Sequence, residues 1–186
     1  MKKKIYLGLS LDIIHHGHIN LINKAAKMGD LIVGLLTDKA ISSHKKLPLL
    51  DYNQRKLILE NIAGVTKVVP QNDWEYSKNI LKYKPDIFIH GDDWNINKEG
   101  RLLKKNAIKA IKQIKSKLIE IPHTKNISSH SLRNKIFETG QIKSEKPNYL
   151  KRLINSKDII RIIETHSPLS AIIAENIYYK NKYGKK

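Results

Sequence analysis

The fold is decided by the stretch Ser10-Leu11-Asp12-Ile13-Ile14-His15-His16-Gly17-His18. An apolar run, Ile5 to Leu9, precedes it, and a helical pattern, Ile19 to Met28, follows it. The stretch therefore lies where a first strand turns into a first helix, which in an open parallel sheet is the carboxyl edge, where ligands bind. Because a helix start offers unpaired N–H groups and a positive dipole end to an anion, this turn is a candidate phosphate site.

Apolar runs alternate with helical patterns along the following sequence. The predicted strands after the first lie at 31–37, 65–69, 86–90 and 118–121, and the predicted helices lie at about 52–63, 74–83, 99–115 and 130–139. We expect Pro70 to end the third strand, and Leu57, Ile58 and Ile62 to face the core. This alternation favours βαβ units, so we expect an α/β fold with a five-stranded parallel sheet flanked by helices.

A polar break at 142–146, closed by Pro147, predicts a boundary in the chain. We expect residues 1–141 to form the main domain and residues 142–186 to form a helical tail, interrupted at Ser167-Pro168. A tail of about forty residues cannot build a stable core alone. It therefore docks on the main domain, pairs with another copy of the chain or stays mobile.

Composition narrows the classes of function. The chain has 186 residues, no cysteine and a formal net charge of +18, so disulfides and thiolate metal sites are excluded. No apolar stretch approaches the roughly 20 residues of a membrane span, and we expect a cytoplasmic protein. The charge favours an anionic partner, but lysines spread over the helix faces, without an arginine-rich cluster, argue against nucleic acid.

Polar segments follow strands one, four and five, at 15–18, 91–94 and 122–129. In the first segment, His15 and His18 are three residues apart at a helix start, so they can face one side and donate to phosphate oxygens. Gly17 lets the backbone approach such a ligand. Two alternatives stay open: a metal site, with Asp12 as a third ligand, and a structural turn.

The other two segments carry hydroxyls and carboxylates. Ser128 and Ser129 stand at a helix start with Arg133 close behind, which is typical of an ordinary serine N-cap or of phosphate binding. Asp92 and Asp93 follow the fourth strand, either as a helix cap or as contacts for a hard cation or an amine.

Two motifs resemble the signatures of a known superfamily, the HxGH nucleotidyltransferases, whose fold is a Rossmann-like parallel sheet. They are His15-x-Gly17-His18 and Ile127-Ser128-Ser129. Segments 52–60, 74–75, 90–94 and 122–129 are similar, in this order, to the cytidylyltransferase branch, which includes the glycerol-3-phosphate cytidylyltransferases. The resemblance covers about residues 4 to 140.

A second likeness is to the nucleotidyltransferase domain of phosphoenolpyruvate mutase fusions. Segments 8–12, 34–41 and 46–48 look like those proteins, and segments 151–156 and 164–171 resemble the opening of the mutase domain. That opening usually reads His-Asn-Gly-Leu, where this chain has His-Ser-Pro-Leu at 166–169. Because a mutase barrel does not fit before Lys186, we expect no mutase activity from this polypeptide.

The resemblance implies transfer of a cytidylyl group from CTP, with Mg²⁺, to a phosphate or phosphonate oxygen, with release of pyrophosphate. Catalysis is then assigned to His15, His18, Lys46 and Ser128. Nucleotide binding is assigned to Leu9, Ser10, Gly17, His18, Gly91, Asp93, His123, Ile127, Ser128, Ser129 and Arg133. Acceptor binding is assigned to Asp12, Arg55, Trp74, Asp92 and Trp94. No protein ligand for a metal is assigned, although Asp12 and Asp93 are candidates, and we expect a homodimer.

Departures from the glycerol-3-phosphate enzymes concern the acceptor. This chain has His123 and Asn126 where those enzymes carry Arg and Gly, His44 for a Lys, and Ala63-Gly64-Val65-Thr66 for Arg-Tyr-Val-Asp. The mutase-fusion likeness favours a phosphonate, with 2-aminoethylphosphonate as the best candidate. Asp92 or Asp93, with Trp74 or Trp94, would receive its ammonium. The alternatives are an alcohol-phosphate cytidylyltransferase, an adenylyltransferase and a non-catalytic partner of a mutase.

Overall fold

Five parallel strands form one sheet in the order β3-β2-β1-β4-β5. The computed structural model describes residues 2–124, 127–129, 131–133, 146–158 and 164–170. The strands are β1 (Lys4–Leu9), β2 (Asp30–Leu36), β3 (Val65–Gln71), β4 (Ile87–Gly91) and β5 (Lys117–Ile121). The predicted α/β class with a five-stranded parallel sheet is confirmed.

Helices connect successive strands. In the described part of the chain they are α1 (His16–Ala26), α2 (Asp38–Ser42), α3 (Tyr52–Glu60), α4 (Ser77–Tyr83), α5 (Lys98–Gln113) and α6 (Lys146–Ser156), with a 3₁₀ turn at Asp92–Asn95. No helix in these ranges is long and apolar enough to cross a membrane.

The strand order reverses at β1, which pairs with β2 on one side and with β4 on the other. Leu7 of β1 lies in register with Val33 of β2 and with Ile89 of β4. An open parallel sheet forms its ligand crevice at such a switch point, outside the carboxyl ends of the strands. The polar segments after β1, β4 and β5 therefore lie on neighbouring strands, as the sequence predicts.

Side-chain alternation along β1 builds two cores. Leu7 packs in one cluster with Ile22 of α1 and Leu59 of α3, and all three are fully buried. Tyr6 points to the other face and packs in a cluster with Ile80 of α4 and residues of α5. The sheet is thus a middle layer between two pairs of helices, which hold its carboxyl edge in place.

Three predicted boundaries are wrong. Helix α1 begins at His16, not Ile19, because the extended His15 (φ −149°, ψ 168°) already acts as the N-cap residue. Strand β3 continues through Pro70 to Gln71, which its place at the sheet edge allows. Helix α4 begins at Ser77, so Trp74 lies in a loop. The short helix α2 is not predicted at all.

The predicted core-facing residues after Tyr52 are confirmed in part. Ile58 and Ile62 pack against the core cluster that contains Leu59, whereas Leu57 is 64% exposed. Arg55 is fully buried and lies four residues before Leu59 on the same side of the helix. Hydrophobic periodicity misses Arg55 because its side chain is a charged guanidinium.

The predicted tail lies partly outside the described residues. The proposed boundary at 142–146 is described only at Lys146, and the predicted helix at 130–139 only at residues 131–133. Helix α6 lies within the predicted tail and contacts α2, where the Ser42 hydroxyl donates to the Ser156 carbonyl over 2.8 Å. This part of the tail docks on the main domain.

Candidate active site

Two imidazoles lie side by side where β1 leads into α1. The His15 and His18 ring centroids are 3.9 Å apart, and the His15 N–H donates to Nδ1 of His18 over 3.4 Å. The loop before them passes through Leu11 in a left-handed conformation (φ 51°). The predicted pairing of the two side chains at the helix start is confirmed.

Gly17 leaves the space that the pair occupies. A Cβ at this position would lie 2.9 Å from Nδ1 of His15 and 3.3 Å from Cβ of Thr124. A side chain here would therefore require the His15 ring to move and Thr124 to shift slightly. The constraint on this position is packing and not backbone conformation, since the φ of Gly17 is not positive.

The electrostatic environment keeps both imidazoles uncharged. Burial, together with the neighbouring His15 and His123, lowers the pKa of His18 to about 4. Burial also lowers the pKa of His15, with a contribution from His16 and His123. In the free protein near pH 7 both rings are neutral, and an arriving phosphate would favour their protonated forms.

One nitrogen of this pair faces the start of α1. Nδ1 of His15 is buried, and the His15 side chain lies over the His18 backbone N–H in a capping box, although Nδ1 makes no hydrogen bond of normal geometry among the described residues. Burying an unsatisfied polar atom costs about 1–3 kcal/mol, so such atoms occur where a ligand or a water completes the site. A phosphate oxygen is a suitable partner for a protonated imidazole.

The serine turn lies against the first loop. The Ser129 hydroxyl donates to the Ile13 carbonyl over 3.0 Å, and the Ser128 hydroxyl accepts from the Ser131 N–H over 3.1 Å. Nε2 of His123 lies 3.3 Å from the Ile127 carbonyl oxygen. Ser128 thus caps a helical turn, and the loop that carries it is joined to the loop that leads to the histidines.

Two of the predicted contact residues hold this loop in place. Oδ2 of Asp12 accepts from Arg133 over 2.8 Å, and its Oδ1 accepts from the Leu49 N–H over 2.8 Å. Arg133 is 7% exposed and also donates to the Leu47 carbonyl over 2.7 Å. Asp12 and Arg133 thus join the loop after β1 to residues 47–49, and their predicted contacts with substrates stay predictions.

Arg55 is a scaffold residue too. Its side chain is fully buried and donates to the carbonyls of Ser10 and Leu50 and, over 2.7 Å, to Oδ1 of Asp38. Burial lowers the pKa of this guanidinium, while Asp38 raises it. Arg55 lines neither of the two cavities described below, so the structure shows it as a support of the loops, and its predicted contact with the acceptor stays a prediction.

Two adjoining cavities occupy the carboxyl edge of the sheet. The first, about 450 Å³, lies between α1 and the segment after β5, with Gly17, Lys24, Pro122 and Thr124 in its lining. The second, about 240 Å³, lies over the ends of β1 and β4. Gly91 and His123 line both. A two-part cleft of this kind can take a nucleoside beside a smaller second substrate.

The smaller cavity gathers many of the predicted site residues. Leu9, Ser10, His18, Trp74, Gly91, Asp93, Trp94 and His123 all line it. Ser10 and His18 in its lining place this cavity next to the histidine pair. Lys46 is exposed on the segment 43–51 between α2 and α3, called the connector below, directly after Lys45, which lines the cavity.

A tryptophan forms one wall of this smaller cavity. The Trp74 ring stacks on His44 with centroids 4.9 Å apart, and Nζ of Lys45 lies 5.0 Å from the Trp74 ring. Nε1 of Trp74 is buried and has no hydrogen-bond partner in the described part of the chain. Nε2 of His44 lies 3.6 Å from Oε1 of Glu99, which also lines the cavity.

Asp93 and Trp94 differ in how much of the side chain reaches the smaller cavity. Asp93 lines the cavity and its side chain is 57% exposed. Trp94 is 3% exposed, stacks on His90 at 4.0 Å, and donates from Nε1 to Glu120 over 2.6 Å. Trp94 is therefore mainly a core residue that shows one edge to the cavity.

Asp92 is committed to the backbone. Its Oδ1 accepts from the His123 N–H over 2.9 Å and so joins the segments that follow β4 and β5. It thereby joins the walls of the two cavities, and its predicted contact with the acceptor stays a prediction.

The described residues do not form a protein-held metal centre. They contain no group of three or more His, Asp or Glu side chains that could hold an ion. Both carboxylate oxygens of Asp12 are already hydrogen-bonded. The metal alternative for the histidine pair therefore lacks its third ligand here.

Sequence reasoning does not identify Glu99. In the sequence it stands at a helix start, where an acidic residue commonly complements the helix dipole. Its position in the cavity depends on how α5 packs over β4, which local periodicity does not reveal. Its spacing from Trp74 and His44 carries no motif.

A parallel α/β sheet whose first strand leads to a histidine pair, facing a serine turn beside a two-part cleft, defines a nucleotidyltransferase. More narrowly, the chain belongs to the cytidylyltransferase-like family, whose model matches residues 6–135.

Relatives support this assignment. The chain is 35% identical over 140 residues to the glycerol-3-phosphate cytidylyltransferase of Bacillus subtilis (strain 168), covering 73% of this chain and 98% of that protein. It is 36% identical over 92 residues to the ethanolamine-phosphate cytidylyltransferase of Mus musculus, covering 48% of this chain and 23% of that protein. The chain is therefore a cytidylyltransferase.

A solved structure agrees at the level of the fold. The lipopolysaccharide core biosynthesis protein from Thermoplasma volcanium GSS1 is 22% identical and superposes with a TM-score of 0.54. The match covers 68% of this chain and 100% of that one.

Proposed function

We propose that this enzyme transfers CMP from CTP to a small phosphonate or phosphate that carries an amine, with 2-aminoethylphosphonate as the best candidate, and releases pyrophosphate. The observation that carries the proposal is the smaller cavity, where the carboxylates of Glu99 and Asp93 lie with the Trp74 ring. Carboxylates and an aromatic face attract an ammonium group.

The end of the cleft that the histidine pair and the serine turn form fits the triphosphate of CTP. His15 and His18 donate to the α-phosphate and to the departing pyrophosphate, and Ser128 and Ser129 bind the outer phosphates at the helical turn. Lys46 reaches the phosphates from the connector. Transfer of this kind depends mainly on positioning and on neutralising charge, so an acceptor oxygen attacks the α-phosphorus without a covalent enzyme intermediate.

Mg²⁺ enters this proposal as part of the Mg–CTP substrate, because this ion is bound largely by the substrate phosphates and by water. A homodimer, a cytoplasmic location and the likeness of the tail to a mutase domain stay predictions. Nothing in the proposed transfer depends on them.

A second candidate acceptor is glycerol-3-phosphate. It is favoured by the 35% identity to a glycerol-3-phosphate cytidylyltransferase. It is disfavoured by His44 and His123, which replace basic residues of those enzymes. The carboxylates of Glu99 and Asp93 complement an ammonium group, which glycerol-3-phosphate lacks.

An acceptor screen tests the proposal. The full chain is incubated with CTP and Mg²⁺, and pyrophosphate release is measured on adding 2-aminoethylphosphonate, ethanolamine phosphate or glycerol-3-phosphate. We expect the amine-bearing acceptors to give the higher kcat/KM. Equal or better turnover of glycerol-3-phosphate contradicts the amine assignment.

The same assay run with ATP separates the adenylyltransferase alternative. We expect release with CTP and little with ATP. A thermal shift with CTP, but no pyrophosphate release with any of the three acceptors, would favour the non-catalytic alternative, since a ligand stabilises a protein that merely binds it.

A further inference from the structure

Three guanidinium groups from distant parts of the chain bind the carbonyls of one short segment, residues 47–50. Arg133 donates to the Leu47 carbonyl over 2.7 Å, and Arg55 donates to the Leu50 carbonyl over 3.2 Å. Arg152 donates to the Leu49 carbonyl over 2.8 Å and to the Leu50 carbonyl over 3.0 Å. This segment is the end of the connector that carries Lys45 and Lys46 to the cleft.

Arg152 differs from Arg55 and Arg133 in its position along the chain. It lies on α6, beyond residue 135, where the match to the cytidylyltransferase-like family ends. The Bacillus subtilis relative is matched over 98% of its length by 73% of this chain. Helix α6 is therefore an addition to the part that these enzymes share.

The carboxylate of Asp38 links this addition to the site. Its Oδ1 accepts from Arg55 over 2.7 Å, and its Oδ2 accepts from Arg152 over 3.1 Å. Arg55 in turn donates to the carbonyl of Ser10, which lines the smaller cavity. A continuous set of charge-assisted hydrogen bonds thus runs from α6 to the loop after β1.

The contacts of Arg152 are partly shielded from water. Its side chain is 20% exposed and that of Asp38 is 17% exposed. Solvent screening is weaker at such positions than at the surface, and hydrogen bonds to charged groups are stronger than neutral ones. By contrast, the nearby ion pair between Lys39 and Asp158 spans 3.6 Å with side chains 73% and 90% exposed, and contributes little.

We propose that α6 is a positioning element of the enzyme, and that Arg152 is a positioning residue that holds the connector in its binding-competent conformation. It does not touch the substrates. It fixes residues 47–50, and through them the preceding lysines, before CTP arrives. The assignment of Lys46 to the phosphates, and hence the effect on CTP, rests on the proposed function.

The kinetic effect follows from this role. A connector that is no longer fixed must become ordered when CTP binds. The apparent affinity for CTP is then reduced in proportion to the fraction of molecules whose connector already has the binding-competent conformation. Once CTP has ordered the connector, Lys46 makes the same contacts in the variant as in the parent, so KM changes and kcat does not. We expect Arg152→Ala to raise KM for CTP about tenfold and to leave kcat within about twofold.

The experiment uses the full chain with three variants: Arg152→Ala, Arg152→Lys and Lys151→Ala. Lys151 is exposed on the same helix, so its replacement removes the same charge without removing a hydrogen bond to the connector. We expect Lys151→Ala to match the parent, and Arg152→Lys to lie between the parent and Arg152→Ala because an ammonium cannot bind several acceptors in one plane. Equal KM values in the Arg152→Ala and Lys151→Ala variants would overturn the proposal.

Hydrogen exchange gives a readout that does not depend on activity. We expect amide exchange in a peptide covering 43–51 to accelerate in Arg152→Ala while peptides from β1 and β4 keep their parent rates. Unchanged exchange at 43–51 overturns the proposal, as does uniform acceleration across the sheet. If Arg152→Ala does not fold, the Arg152→Lys variant carries the same two measurements.

If the proposed function is wrong, the experiment gives a result that differs from those above. In that case the unmodified chain itself shows no CTP-dependent pyrophosphate release. The exchange measurement on the connector still decides whether α6 fixes that segment.

Discussion

His15 and His18 lie with their ring centroids 3.9 Å apart, and burial lowers the pKa of His18 to about 4. Two cationic rings at this separation would repel each other, and the free protein avoids this by leaving both neutral. The site is therefore ready to accept a proton only when an anion arrives.

The first prediction concerns stability and pH. The pKa of His18 falls from 6.5 to about 4 in the folded protein, so between these values the unfolded chain binds more protons. The contribution of His18 is fully present above about pH 6.5 and is lost as the pH falls towards 4, up to about 3 kcal/mol. Thermal unfolding of the parent and of His18→Gln between pH 4 and 8 measures it, and the variant should show a shallower decline. Parallel curves would contradict the assignment.

A second prediction concerns catalysis by His15. Its Nδ1 is buried and makes no hydrogen bond of normal geometry in the described ranges, so the ring is available to a phosphate oxygen. We expect His15→Ala to lower kcat/KM about 100-fold, as for the loss of one donor in a charge-stabilising site. His16→Ala is the matched control, because His16 is exposed, and it should stay within about threefold of the parent. Similar losses in both variants would show that the histidine pair has no special role.

The sequence predicts the residues of the candidate site better than it predicts the residues that hold the loops of the site in place. The His15–His18 pair, the order of the polar segments and the parallel sheet follow from local spacing and from the alternation of strands and helices. Arg55 and Asp12 do not, because their partners, such as the Ser10 and Leu49 backbones, become neighbours only in the folded chain. A charged residue near a motif looks the same in sequence whether it contacts a ligand or a backbone carbonyl.

Stability gives the third prediction, for Arg55. Its fully buried guanidinium is paired with Asp38 and donates to two carbonyls, so its removal leaves buried acceptors and a carboxylate without partners. We expect Arg55→Ala to lower the free energy of unfolding by about 3–5 kcal/mol. Lys56→Ala on the same helix, whose pair with Glu60 spans 3.5 Å at the surface, should cost less than about 1 kcal/mol. Urea unfolding followed by circular dichroism measures both.

Gly17 supplies the fourth prediction. A Cβ there would lie 2.9 Å from Nδ1 of His15, so alanine must displace the ring or move α1 away from Thr124. Since alanine is a better helix former than glycine, the penalty should appear in activity and much less in stability. We expect Gly17→Ala to lower kcat at least about tenfold while Tm changes by only a few degrees. A variant with full activity would show that the close approach is incidental.

The fifth prediction separates charge from shape in the acceptor cavity. Glu99 lies beside His44 and lines the cavity with Trp74, so its carboxylate is placed to attract an ammonium group. Glu99→Gln keeps the size of the side chain and removes the charge. We expect KM for 2-aminoethylphosphonate to rise about tenfold, equivalent to about 1.4 kcal/mol, and KM for CTP to stay unchanged. Ethylphosphonate, which lacks the amine, is the matched acceptor, and its kinetics should be the same in the parent and the variant. If Glu99→Gln weakens both acceptors equally, the carboxylate shapes the cavity through its contact with His44 and does not select an amine.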